Sequence, residues 1–166
     1  FLALAAVVRA FQSPFRGSTG APTIKQDIAY AVVRQILSRL SAAQSQGLSA
    51  TTEAVYMKEA TKINWKPNTI DLGGGVKGHW MGPSNAENVM LYFHGGGYIG
   101  YATPGHLKYQ FALQQAAQEA GHNFSIFSVS YTLAPEKVYP HQLLQATLAL
   151  RYLLEVEKRD PGTVSF

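Results

Sequence analysis

The sequence holds no cysteine. Disulfides and thiolate metal sites are therefore excluded, and the compartment is left open between the cytoplasm and a membrane surface. Charge is sparse. Only 14% of the 166 residues are charged and 46% are hydrophobic, which is the composition of a folded domain rather than a disordered chain. The 14 basic and 10 acidic residues give a net charge of +4, and their scatter marks out no nucleic-acid groove. The histidines, His79, His94, His106, His122 and His141, are dispersed, so neither a metal site nor a metal cofactor is expected. Long apolar runs are missing too. Phe1 to Val8 is interrupted by Arg9 and closed by Ser13-Pro14, too short to span a bilayer. It reads as a helix that packs on the domain or touches a membrane peripherally, or as the remnant of a signal or anchor. No internal repeat is visible, and nothing in the sequence fixes an oligomeric state.

What is present reads as alternating elements. Phe11 to Pro22 carries Ser, Pro, Gly and Thr and predicts a linker. Thr23 is placed to cap a helix over Ile24 to Ala43, where Ile28, Val32, Ile36 and Leu40 recur at four-residue steps. Ser49 to Lys58 predicts a shorter helix capped by Thr51 or Thr52. Lys62 to Trp65 alternates polar and apolar and predicts a strand from about Thr61. A turn at Asp71 to Gly75 leads to a return strand, Val76 to Met81, and Gly82 to Asn85 to another turn.

Val89 to Phe93 is a short, β-rich apolar run that predicts a buried strand, and it stops at His94. Gly95, Gly96 and Gly97 follow. Glycine lets a backbone turn sharply and approach a ligand closely, with its N–H groups aimed at negative charge. A strand ending in such a loop is one way to build an oxyanion hole; an ordinary turn is the plain alternative. Gly95-x-Gly97-x-x-Gly100 also fits a dinucleotide-binding spacing, as does Gly73-x-Gly75-x-x-Gly78. The ribose-binding acid that spacing requires is absent, because Ser130-Tyr131-Thr132 stands in its place and Glu119 falls in a predicted helix.

Thr103-Pro104 predicts the start of a helix that Gly121 ends. Phe124 to Tyr131 predicts a strand, Leu133 to Glu136 a loop, and Pro140 or His141 to Lys158 a long helix rich in leucine. Thr163 to Phe166 looks like the start of another strand. Strand, helix, strand, helix and strand start imply a mostly parallel sheet flanked by helices, preceded by a hairpin. The expected division is a helical extension over 1–60 and an α/β core over 61–166.

The stretches YFHGGGYIG and SVSYTLAPEKVYP together resemble the hormone-sensitive-lipase-like carboxylesterases of the α/β-hydrolase fold. The resemblance runs from about Thr61 to Phe166, with the N-terminal helices in the place of the family's variable cap. It implies an oxyanion hole at His94, Gly95, Gly96 and Gly97, in which Gly96 and Gly97 donate, Gly95 shapes the turn and His94 positions the loop rather than acting as base. Such donors lower a barrier by roughly 3 kcal/mol each. Walls of a substrate pocket are expected near Tyr98, Ile99 and Tyr101, and Glu136 is expected to be structural. A small-molecule ester is the implied substrate, and no cofactor is implied.

The family also needs a Gly-x-Ser-x-Gly elbow followed in order by an acid and a histidine. No such string occurs; the nearest, Gly82-Pro83-Ser84-Asn85-Ala86, lacks the last glycine and sits in a predicted turn. The expectation is that nucleophile, acid and base lie beyond Phe166, so that this chain is the front part of an esterase, inactive alone. The alternative is a non-catalytic α/β binding module that keeps a pocket without the chemistry. Without the family's fifth strand, Val89 to Phe93 is expected to present an open edge and the chain to be poorly soluble.

Overall fold

A computed structural model describes residues 1–15, 17 and 20–166. The chain divides into two compact units, Phe1–Leu48 and Ser49–Phe166.

The first unit is helical. Helix α1 (Leu2–Gln12) is followed by a 3₁₀ turn at Ser13–Phe15, and part of the expected linker, at residues 16, 18 and 19, lies outside the described residues. Helix α2 (Ile24–Arg39) starts where expected, with the Thr23 side chain accepting the Gln26 amide. It ends earlier than its apolar period suggests. Leu40 is extended, and Ser41 opens a separate short helix α3 (Ala42–Gly47) through a reciprocal capping box with Gln44. The Arg9 guanidinium meets the buried Asp27 carboxylate at 2.8 Å, joining α1 to α2.

The second unit is a five-stranded mixed sheet with helices on both faces. Helix α4 (Thr52–Lys62) precedes strands β1 (Asn68–Asp71), β2 (Lys77–Met81) and β3 (Asn88–Phe93). Helix α5 (Pro104–Glu119), strand β4 (Phe124–Ser130), helix α6 (His141–Arg151) and strand β5 (Val164–Ser165) complete it. The strand order is β1-β2-β4-β3-β5. β1–β2 and β2–β4 are antiparallel, whereas β3 runs parallel to both β4 and β5.

One sequence expectation is corrected. The strand expected at Thr61 to Trp65 is the end of α4, because Asn64 takes a left-handed φ of +53° and the Trp65 amide bonds back to the Ala60 carbonyl. Pairing starts instead at Asn68. Contacts place α4 in the sheet unit, where the Tyr56 hydroxyl donates to the Trp80 carbonyl at 2.8 Å and accepts the Asn68 amide at 3.0 Å.

Alternation along the strands feeds two cores. Val89 and Leu91, with Phe127, Val129 and Trp80, pack under Ala149 and Leu153. Met81 and Ile126 point the other way, against Val55, Tyr56, Leu107 and Phe111. Burial on both faces explains why β3 reads as a nearly continuous apolar run. The long C-terminal helix holds less of its leucine inside than its composition suggests. α6 passes into a π turn at Tyr152–Val156, and Leu143, Leu144 and Leu148 stay exposed. β5 covers only part of the β3 edge, pairing with Val89 and Met90.

Candidate active-site loop

β3 delivers His94 to the end of the sheet, where the ring is buried. Its Nδ1 lies 3.0 Å from the Gly95 carbonyl oxygen, and its Nε2 lies 3.4 Å from Thr52 Oγ1. The Tyr131 hydroxyl, one residue past β4, donates to the His94 carbonyl at 2.6 Å, and the two rings stack at 4.5 Å. Burial pushes His94 below the ordinary imidazole range and Tyr131 up to about 12, so both are neutral near pH 7. The neutral imidazole is enclosed by these contacts.

The three glycines lie beyond the ladder and are exposed. Gly96 has φ +137° and Gly97 φ +61°, conformations that a side chain strains. The Gly96 carbonyl accepts the Ile99 and Gly100 amides at 3.1 and 3.0 Å, which closes the turn. Among the described residues, no acceptor takes the Gly96 or Gly97 amide. Tyr98 continues at φ +61°, and its carbonyl accepts the Ala134 amide at 2.8 Å, tying the glycine loop to the Leu-Ala-Pro-Glu turn.

That second turn is held from below by two buried glutamines of α6. Gln145 accepts the Thr132 amide at 2.7 Å and donates to the Gly74 carbonyl at 2.8 Å; Gln142 donates to the Thr132 and Lys137 carbonyls at 3.0 and 2.8 Å. Glu136 is exposed and does not border the cavity between the two turns.

Between the two turns lies a cavity of about 620 Å³, bordered by His94 to Tyr98, Tyr131 and the apolar residues Val138, Tyr139 and Leu143. Of the pocket walls expected from sequence, Tyr98 is there. Ile99 and Tyr101 do not border this cavity; Tyr101 borders another one beside Ala54 and Val55 and packs against the core that holds Val89 and Leu91. Sequence reasoning missed the wall from Val138, Tyr139 and Leu143, since residues following a loop carry no period. It also missed Thr52. The glutamines carried a signal, being polar at i and i+3 in a leucine-rich helix. Among the described residues, no group of three or more His, Asp or Glu is placed to hold a metal.

Comparison with known proteins agrees with this architecture. Residues 90–165 match a family model described as the alpha/beta hydrolase fold. No curated protein matches the chain. Among solved structures, an esterase from the bacterial hormone-sensitive lipase family superposes with a TM-score of 0.51 at 25% identity, covering 87% of this chain and 46% of that one. The Francisella virulence factor BioJ gives 0.53 at 21%, covering 80% and 42%. A carboxyl esterase from the fungus Tuber melanosporum is 29% identical over 60% of this chain and 33% of its own, with a TM-score of 0.44. The chain spans less than half the length of each of these proteins. The chain has the α/β-hydrolase fold, and it is similar to an esterase of the bacterial hormone-sensitive lipase family.

Proposed function

We propose that the protein hydrolyses carboxylic esters and that His94 to Gly97 form its oxyanion loop. The observation that carries this is the pair of amides at Gly96 and Gly97, without an acceptor among the described residues and at the edge of an apolar cavity. Donors fixed in place before the reaction stabilise a tetrahedral oxyanion without reorganising. His94, Gly95 and Tyr131 set the backbone path, and Tyr98, Val138, Tyr139 and Leu143 offer the ester an apolar wall. The attacking hydroxyl would belong to a Gly-x-Ser-x-Gly elbow in sequence following Phe166, with acid and base further on. Continuing the reading frame tests this: a Gly-x-Ser-x-Gly within about 20 residues is expected, and its absence removes the enzyme reading in favour of a binding module. Hydrolysis of a p-nitrophenyl ester by the whole protein, blocked by a serine-directed phosphonate, is the matching activity test.

Peripheral contact with a membrane is proposed for the first unit. Up to residue 48 the sequence sets Arg9, Arg16, Lys25, Arg34 and Arg39 against the single acid Asp27, whereas beyond it basic and acidic residues balance. On α1, Leu4, Val7, Val8 and Phe11 are exposed along one stripe, while Ala5, Ala6 and Arg9 are partly buried. No described helix is long and apolar enough to cross a membrane. A cationic surface with an apolar stripe suits an anionic lipid interface. Sedimentation with phosphatidylglycerol vesicles should carry the protein down, and the double variant Leu4→Glu with Phe11→Glu should stay in solution. Equal sedimentation of both would refute this contact.

A further inference from the structure

We propose that Thr52 is a positioning residue that clasps both ends of the glycine loop with one hydroxyl. Thr52 is the first residue of α4, but Thr51 already caps that helix, accepting the Ala54 amide at 3.3 Å. The Thr52 hydroxyl therefore has no capping task, and an exposed first-turn threonine would face water. Instead Thr52 is only 2% exposed. Its Oγ1 accepts the Ala102 amide at 3.1 Å and lies 3.4 Å from His94 Nε2. His94 and Ala102 bracket the whole loop.

The direction of each bond follows from the chemistry of the partners. A carbonyl only accepts, so the contact from His94 Nδ1 to the Gly95 oxygen places the ring proton on Nδ1. A neutral ring then has its lone pair on Nε2, which takes the Thr52 O–H. The oxygen of the same hydroxyl keeps its lone pairs for the Ala102 N–H. Each polar atom in the set then has a partner. The Tyr131 hydroxyl donates to the His94 carbonyl and also lies 3.5 Å from His94 Nδ1, so it is the Nε2 edge of the ring that answers to Thr52. Valine has the shape of threonine without the hydroxyl and loses both bonds together. Serine keeps both.

The consequence for turnover rests on the oxyanion reading, but the clasp does not, and the two are tested apart. Nitrogen-15 NMR of the protein should show the His94 proton on Nδ1. In Thr52→Val, exchange of the Ala102 amide should quicken about tenfold or more while Phe127 and Val129 in β4 hold their protection. Thr52→Ser should stay within about twofold of the parent. A parent ring protonated on Nε2, an unchanged Ala102 amide in Thr52→Val, or equal quickening throughout β4 would each overturn the clasp. Should Thr52→Val not fold, the tautomer of the parent and the exchange of Thr52→Ser decide. In an ester assay Thr52→Val should lower kcat with KM nearly constant. A confirmed clasp in a protein that turns over no ester would sink the ester reading alone.

Discussion

Gly96 and Gly97 differ in what a methyl group would meet, and that difference separates backbone strain from steric exclusion. A Cβ on Gly97 finds open space and would add only the strain of its left-handed φ, about 1–2 kcal/mol. A Cβ on Gly96 would sit 2.7 Å from the Gly100 carbonyl oxygen, so the turn itself would have to move. Gly96→Ala should therefore lower kcat for ester hydrolysis by about 100-fold, the loss typical of one oxyanion donor, and by more than Gly97→Ala does. Steady-state kinetics on the two variants checks the order. Tyr131→Phe removes the hydroxyl from the His94 carbonyl in a buried setting and should cost about 1–2 kcal/mol in denaturant unfolding. At this scale the sequence showed the loop itself, because glycine in a row after a strand has few meanings. Thr52 stayed hidden because its partners lie 42 and 50 residues away. No local pattern reports a contact over that separation.

Elements were legible where a boundary is set by local chemistry. Thr23 and Thr103 cap the helices they were expected to cap, and Pro104 occupies the first turn of α5. The failures fall where local chemistry competes with periodicity. Ser41 with Gln44 ended a helix that four-residue spacing would have continued, and Asn64 ended α4 inside an apparent alternation. Strand β2 carries a constraint the sequence did not announce. An added Cβ at Gly78 would lie 1.8 Å from the ring of Phe127, which packs at a tilt against Trp80 with ring centres 4.7 Å apart. Gly78→Ala should destabilise the sheet by about 3 kcal/mol or more, since neither ring has room to yield. Chemical denaturation reads this directly, and a loss below about 1 kcal/mol would show that the β2–β4 packing is looser than described.

For the molecule as a whole, buried histidines tie stability to pH. His79 is fully buried, its Nδ1 lies 2.9 Å from Thr69 Oγ1, and burial lowers its pKa to about 4. His94 is shifted in the same direction by the same cause. Below the free imidazole value of about 6.5, the unfolded chain takes up protons that the folded one refuses. Stability should be full above that value and fall as pH drops toward 4, by up to about 1.4 kcal/mol per unit for His79. Unfolding midpoints measured across this range should decline, and His79→Phe should flatten the decline. The oxyanion reading stands above all of this and has a direct test. A crystal structure of the whole protein carrying a serine-bound phosphonate should place the phosphoryl oxygen about 2.7–3.1 Å from both the Gly96 and Gly97 nitrogens. A phosphoryl oxygen held by other donors, with those two amides turned away, would contradict the account.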